Sequence, residues 1–465
     1  MTKMVSRCIT VLLGLILINA VAAEEIFGQY WPAYGKQKPT SLDWSVTDIG
    51  YYFGECAAGS ADVPLPKLQH AGRVHHSTMV RRSDDSLVVL VNGLGLMLTN
   101  LLCRFLPTVT VTNNTGFTVP KGQPEADIKA FVATAHKHRK KAVFAIGGWT
   151  GSRYFSDRVA TAFNRADFAT SILSFVKTYG FDGVDLDWEY PGKQGIGCNK
   201  VRPTDSANFL SFLKTLRRAL PSPYLITAAI GTSGIIGPNG APLPDMRPYS
   251  KILDYINLMT YDIGGNWSPT SGPNSPFRTC NSATSVIQVV QTFKKAGVPV
   301  EKMVVGIPSY GHSYELVSST LKKQMIGRYT SQVYQNKTNR IPKGDKSDSN
   351  APKTDICNVR SASFSGTWTY NSLISEGLLS ADGSKGLKGF TRRYDYCTAT
   401  PFLFNPKTKI MINYEDGFSA SQKIGYVTEQ FLAGVFVFDS TGFNRDGGRH
   451  PAVLTTIRYA LDVNT

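Results

Sequence analysis

Residues 181–191 read Phe-Asp-Gly-Val-Asp-Leu-Asp-Trp-Glu-Tyr-Pro, which places four acids, Asp182, Asp185, Asp187 and Glu189, within eight positions. The last three alternate with Val184, Leu186 and Trp188. Successive side chains of a β-strand point to opposite faces, so one face carries three carboxyls and the other carries apolar groups. Carboxylates stacked on one buried face repel each other, and some must hold protons near neutrality. A carboxylic acid kept neutral in this way can serve as a proton donor. Two blander readings compete, a solvated acidic strand and a calcium loop. A calcium loop needs oxygen ligands around a mid-loop glycine and a turn, not interleaved Val, Leu and Trp. A solvated strand would not place Leu186 and Trp188 on its reverse.

The elements that must position this string recur along the chain. Eight apolar runs read as strands: Ile26–Trp31, Asp48–Phe53, Lys141–Ile146, Gly183–Glu189, Leu225–Gly231, Tyr255–Tyr261, Met303–Ser309 and Gly434–Phe438. Helical patterns such as Pro124–Lys140 and Ala162–Tyr179 fall between them, and Pro451–Val463 reads as a closing helix. The alternation predicts an α/β fold, a (β/α)8 TIM barrel, whose chemistry sits at the C-terminal ends of the strands. Glu189 ends the fourth run. The gap between runs seven and eight is too long for one helix, and about 313–416 is polar with strand-like pieces at Thr367–Tyr370 and Lys409–Tyr414. It is expected to be a small α+β insertion that raises one wall of a cleft.

Residues 1–23 read as a secretory signal, with basic Lys3 and Arg7, an apolar Ile9–Ile18 and a small-residue site at Ala20-Val21-Ala22. The run is too short for a membrane span. Residues 24–465 would then be the exported chain, extracellular or at a cell wall, where disulfides are permitted. Removing Lys3 and Arg7 takes the net charge from +16 to +14. The Lys and Arg are scattered and no nucleic-acid motif accompanies them, so the charge reads as solubility and weak adhesion to an acidic surface. A monomer is expected, with no nucleic-acid partner and no stable membrane insertion.

Gly54–Thr108 fits none of this, because it interrupts the second β/α unit. It contains the nearly continuous apolar stretch Leu87–Leu106, a transmembrane candidate when read alone. A span there would pull the second strand apart. The alternative is a translated intron: deleting the segment joins Phe53 to Val109 and restores a short strand-to-loop step. That reading expects a shorter transcript lacking the segment in frame.

Cys8 leaves with the signal, Cys56 and Cys103 lie in the interrupting segment, and Cys198, Cys280, Cys357 and Cys397 remain as an even set. The expected pairs are Cys198–Cys280 and Cys357–Cys397, the latter stapling the insertion, although spacing does not fix connectivity. Asn113 and Asn336 open glycosylation sequons. Asn266 opens a third, beside Pro269 and the expected cleft.

The full string resembles the D-x-x-D-x-D-x-E signature of the glycoside hydrolase family 18 chitinases. Ala145-Ile-Gly-Gly-Trp149 resembles the family's S-x-G-G strand, with Ala145 where Ser is usual, and Gly147 and Gly148 permit close backbone approach. Met259-Thr-Tyr261-Asp262 resembles its M-x-Y-D strand end. The resemblance runs from about Ile26 to the C-terminus, except for Gly54–Thr108, and is nearest to secreted fungal chitinases.

What the resemblance implies is substrate-assisted, retaining hydrolysis of chitin or chitooligosaccharides, with no cofactor and no metal. Glu189 would protonate the glycosidic oxygen while the substrate's own acetamide oxygen attacks the anomeric carbon. Asp187 would orient the acetamide N–H, Asp185 would share a proton with Asp187, and Tyr261 would bond the acetamide oxygen. Glu189 would then activate water. Sugar faces stack on aromatic rings, for which Trp31, Trp149 and Trp267 are candidates. Gly148, Met259, Asp262, Tyr310, Arg393 and Tyr394 complete the expected lining. Asp182 reads as strand support and His312 as structural. The family usually ends its eighth strand with Trp, where this chain has Phe438, a smaller platform without an indole N–H.

Rival functions stay open. A chitin-binding lectin or effector on the same barrel would bind more than it cuts, which Phe438 and Ala145 favour. An endo-β-N-acetylglucosaminidase commonly lacks the tyrosine that Tyr261 supplies. A chain that retains Gly54–Thr108 could also be an inactive isoform.

Overall fold

The computed structural model describes residues 26–32, 42, 47, 49–53, 110–112, 116–118, 125–443 and 452–464. The expected signal at 1–23, the segment Gly54–Thr108 with its apolar stretch, and the Asn113 sequon lie outside the described residues.

Eight parallel strands close into a barrel. They are β1 (Ile26–Pro32), β2 (Ile49–Phe53), β3 (Lys141–Gly147), β4 (Gly183–Asp187), β5 (Leu225–Gly231), β6 (Tyr255–Met259), β7 (Met303–Pro308) and β8 (Gly434–Phe438). Each pairs with its neighbours in sequence order, and β8 closes on β1 through Ile26↔Gly434. The apolar runs arise because parallel barrel strands are covered on both faces. Every residue of β4 and β7 is buried.

The helices start where side chains can cap them. Thr161 accepts from the Asn164 N–H at the start of Ala162–Tyr179, and Gly180 ends that helix in the left-handed conformation. Asp416 and Ser419 form a reciprocal box at Gly417–Glu429.

Three expected strands end before their sequence patterns do, β7 by one residue, at Pro308 rather than Ser309, and β4 and β6 by two. β4 ends at Asp187 and β6 at Met259, so Glu189 and Tyr261 stand beyond the ladder, on the barrel rim. The alternation nevertheless sorts the acid string as expected. Trp188 faces the helices, stacked on Phe155 at 5.2 Å and edge-on to Phe209 at 5.5 Å, while Asp185 and Asp187 are buried.

Between β7 and β8 stands an antiparallel five-stranded sheet in the order Thr367–Thr369, Tyr310–Glu315, Ile410–Asn413, Thr400–Asn405, Thr391–Asp395. It starts at Tyr310, earlier than the expected 313, because Ser309 is the pivot between the two bodies. Its N–H donates to the Phe438 carbonyl at 2.9 Å and its carbonyl accepts from the Tyr370 N–H at 2.9 Å. The sheet is apolar on both sides, with one cluster around Trp368, Leu373 and Leu403 and another around Tyr314, Phe402 and Met411.

The disulfide pairing differs from expectation. The bridges are Cys198–Cys357 and Cys280–Cys397, not Cys198–Cys280 and Cys357–Cys397. Cys357 lies between the short strands Lys353–Thr354 and Arg360–Ser361, which reach the loop after β4, whereas Cys397 follows Thr391–Asp395 and meets the loop after β6. The two insertion cysteines therefore belong to different substructures, and each bridge ties the insertion to the barrel.

Candidate active site

The acid string crosses the barrel from bottom to rim. Asp182 lies at the bottom. It accepts from the Ala142 N–H at 2.6 Å and pairs with His136 at 2.9 Å and Lys141 at 3.2 Å. Burial alone would raise its carboxyl, but these bonds, His136 first, hold it below the usual carboxylate range. Its role as strand support stands on these contacts.

Asp185 sits inside the barrel with no exposed surface. It accepts from the Thr227 hydroxyl and, at 3.0 Å, from Asn257 Nδ2. Thr227 is its register partner on β5, and Asn257 comes from β6. Ala145, its register partner on β3, supplies no donor. Thr227 and Asn257 thus provide hydrogen bonding from the opposite side to the one where Ser is usual.

β3 and β4 approach closely at Gly147, whose φ is 109°. A Cβ there would lie 2.0 Å from the Asp187 carbonyl oxygen, so only glycine fits. Gly148 opens the short helix Gly148–Gly151, which carries Trp149, 47% exposed, on one side of the acid strand. On the other side stands Trp267, 62% exposed and edge-on to His312 at 5.1 Å.

Glu189 is half-buried at the rim. Burial, then the Asp187 charge and then that of Asp262, push its carboxyl well above the ordinary range, against a hydrogen bond from Tyr190. The site therefore contains a carboxyl biased toward its neutral, proton-donating form. The Glu189–Tyr190 and Phe438–Asp439 peptides are both cis.

Three aromatic rings meet at the same end of the barrel. Phe438 stacks on Tyr261 at 5.6 Å, and Tyr310 stands edge-on to Tyr261 at 6.3 Å and to Phe438 at 6.4 Å. They come from the ends of β8, β6 and β7. Asp262 follows with φ at 54°, bonded to His312 Nε2 at 3.0 Å. Burial, then the Asp262 charge, raise the Tyr310 hydroxyl well above its usual range and keep it neutral.

Met259 ends β6 beside this group. Trp31 sits at the C-terminal end of β1 in register with Tyr52. Arg393 is exposed on the edge strand Thr391–Asp395, three strands from Tyr310 and so about 14 Å away across the sheet. Tyr394 packs there against Tyr396 and Phe418, each at 5.2 Å. The structure gathers the acids, Tyr261, Tyr310 and Phe438 into one rim, while Arg393 and Tyr394 occupy the far edge of the insertion. Asn336 is exposed, and the Asn266 amide donates to the Ser365 carbonyl at 2.8 Å. Among the described residues, no group of three His, Cys, Asp or Glu is arranged to hold a metal ion.

Residues 81–442, more than half of the chain, match the family described as Glycosyl hydrolases family 18. The chain belongs to that family. The match begins after the first two strands of this family 18 barrel. A "chitinase-like effector" of Moniliophthora roreri is 37% identical over 75% of this chain and 84% of its own length. Chitinase A1 of Niallia circulans is 31% identical over 65% of this chain and 40% of its own length. Among solved structures, a chitinase from Rhizomucor miehei superposes with a TM-score of 0.72 at 22% identity, covering 94% of this chain and all of that one. At that identity the likeness concerns the fold.

Proposed function

We propose that this chain hydrolyses β-1,4 linkages between N-acetylglucosamine units of chitin, by retention through the substrate's acetamide, with Glu189 as general acid and then general base. The observation that carries the reading is the Glu189 carboxyl, held toward its neutral form by burial and by Asp187 at the rim of a family 18 barrel. Asp187 orients the acetamide and balances its developing positive charge, while Asp185 is fixed from beneath by Thr227 and Asn257. Tyr261 bonds the acetamide oxygen, and Phe438 underlies the cleaved sugar. Trp149 and Trp267, exposed on either side of the acid strand, extend the contact along a polymer. A five-stranded insertion beside the rim suits internal cleavage. Export after residue 23, attachment of sugar at Asn336 and work as a monomer complete the proposal.

A second reading is favoured by a specific observation. A relative 37% identical over 75% of this chain is named a "chitinase-like effector", and Phe438 and Ala145 depart from the usual residues. A chitin-binding protein with weak or no hydrolysis would carry the same rim.

The test is hydrolysis of soluble N-acetylglucosamine oligomers by the full chain, by a chain lacking Gly54–Thr108, and by Glu189→Gln in whichever form folds. Cleavage lost in Glu189→Gln supports the hydrolase. Cleavage by the shortened form alone makes Gly54–Thr108 an unspliced segment or an obstacle to folding. Tight binding without cleavage by a folded wild type replaces the hydrolase with the binding protein.

A further inference from the structure

Both main-chain polar groups of Glu189 are held by side chains outside the reaction scheme. Its N–H donates to Ser152 Oγ at 2.9 Å, and that hydroxyl also lies 2.8 Å from the Gly148 carbonyl and 3.1 Å from the Asp187 carbonyl. The Glu189 carbonyl accepts from Asn199 Nδ2 at 2.6 Å. Ser152 is fully buried and Asn199 is 6% exposed. The loop packs so closely that a Cβ at Gly195 would lie 2.2 Å from the Glu189 carbonyl oxygen.

Asn199 is itself fixed. Its N–H donates to Gln194 Oε1 at 3.2 Å, and its carbonyl accepts from Gln194 Nε2 at 2.9 Å. The next N–H, of Lys200, donates to the Arg153 carbonyl at 2.8 Å, and Arg153 Nη1 donates to the Ile356 carbonyl at 3.2 Å. Three segments, at Ser152–Arg153, Asn199–Lys200 and Ile356–Cys357, therefore meet behind the acid. The Cys198–Cys357 bridge joins two of them covalently.

We propose that Ser152 and Asn199 form a clamp that positions Glu189, and that the Cys198–Cys357 bridge locks this clamp from the insertion. The proposal rests on the reading of Glu189 as the proton donor. A donor must stay within hydrogen-bond reach of the glycosidic oxygen, and a misplacement of about 1 Å costs on the order of 10²-fold in rate. Gripping the residue at both its N–H and its C=O limits where the side chain can start. The hairpin of the insertion then acts on the acid through Asn199 without touching substrate.

The second bridge is a built-in control. Cys280–Cys397 also ties insertion to barrel, near Arg278, and none of the clamp residues is among its described contacts. The experiment compares Asn199→Ala, Cys198→Ser/Cys357→Ser and Cys280→Ser/Cys397→Ser in the chain form that folds. It reads kcat, KM, melting temperature and the titration of Glu189 by carboxyl-labelled 13C NMR. Both double variants should melt lower than wild type. Only Asn199→Ala and the Cys198/Cys357 variant should lose at least about 10-fold in kcat, with KM held within about 3-fold, and move the Glu189 midpoint. Equal loss of kcat in both double variants, or an unmoved kcat and midpoint in folded Asn199→Ala, overturns the clamp. An inactive wild type sinks the hydrolase reading by itself. In that case a midpoint moved by Asn199→Ala still supports the clamp, and an unmoved one sinks it too.

Discussion

Asp182 and Glu189 belong to one short acid string, yet they stand at opposite ends of the barrel and are driven in opposite directions. At the bottom, His136, Lys141 and the Ala142 N–H surround Asp182 and hold it ionised. At the rim, burial and the charges of Asp187 and Asp262 hold Glu189 toward its neutral form. Both carboxyls are desolvated, so desolvation does not separate them. What separates them is the company: cations and N–H donors at one end, other carboxylates at the other. The first arrangement stabilises a fold, and the second holds a proton at the barrel rim, where the proposed hydrolysis would use it.

The largest expected effect comes from removing the stored proton. Glu189→Gln should lower kcat by about 10³-fold, within the range of general acid catalysis, with the melting temperature unchanged or raised. Asp187→Asn should follow, with a loss of about 10² in kcat. It also removes the second cause of the raised Glu189 carboxyl. The donor form would then be lost at lower pH, so the alkaline limb of the kcat profile should move to lower pH. A limb that stays in place would mean that Asp187 does not set the Glu189 proton.

The bottom end should answer in stability instead. Asp182→Asn should cost about 1–3 kcal/mol in urea unfolding and leave kcat per folded molecule unchanged. Because the folded Asp182 carboxyl lies below its unfolded value of about 3.9, its contribution is present above that pH and is lost as pH falls through the folded value. His136→Ala should give the smallest effect, about 0.5 kcal/mol or less, because the ring is 46% exposed and water screens the pair. His136 is raised in the folded state, chiefly by its bond to Asp182. Its contribution is therefore complete below about pH 6.5 and vanishes as pH rises through the folded value. Denaturant melts at pH 5.5 and pH 8.5 check the sign: the variant should differ from wild type only at the lower pH.

The same comparison explains what was legible in the sequence. All eight barrel strands could be read because each is a local apolar run, and the alternation from Val184 to Glu189 sorted buried acid from buried Trp188 without any knowledge of neighbours. Partners from other segments could not be read. Thr227 and Asn257 matter because the barrel brings β5 and β6 beside Asp185. Ser152 and Asn199 matter because two loops converge on Glu189. No periodicity carries that information. The cysteine pairing failed for the same reason: spacing measures distance along the chain, while pairing follows which loops the insertion reaches. Only the glycines gave advance notice of a close approach, and Gly147 proved to be one.

The order of the bridged cysteines along the chain has one more consequence. Cys198 pairs with Cys357 and Cys280 with Cys397, so the two covalent loops overlap rather than nest. Cutting any single peptide bond between Cys198 and Cys397 falls inside at least one loop and leaves the two fragments tethered. A protease that nicks the exposed turns of the insertion would change neither the mass nor the composition of the particle beyond one added water, and the cut would become visible only after the thiols are reduced.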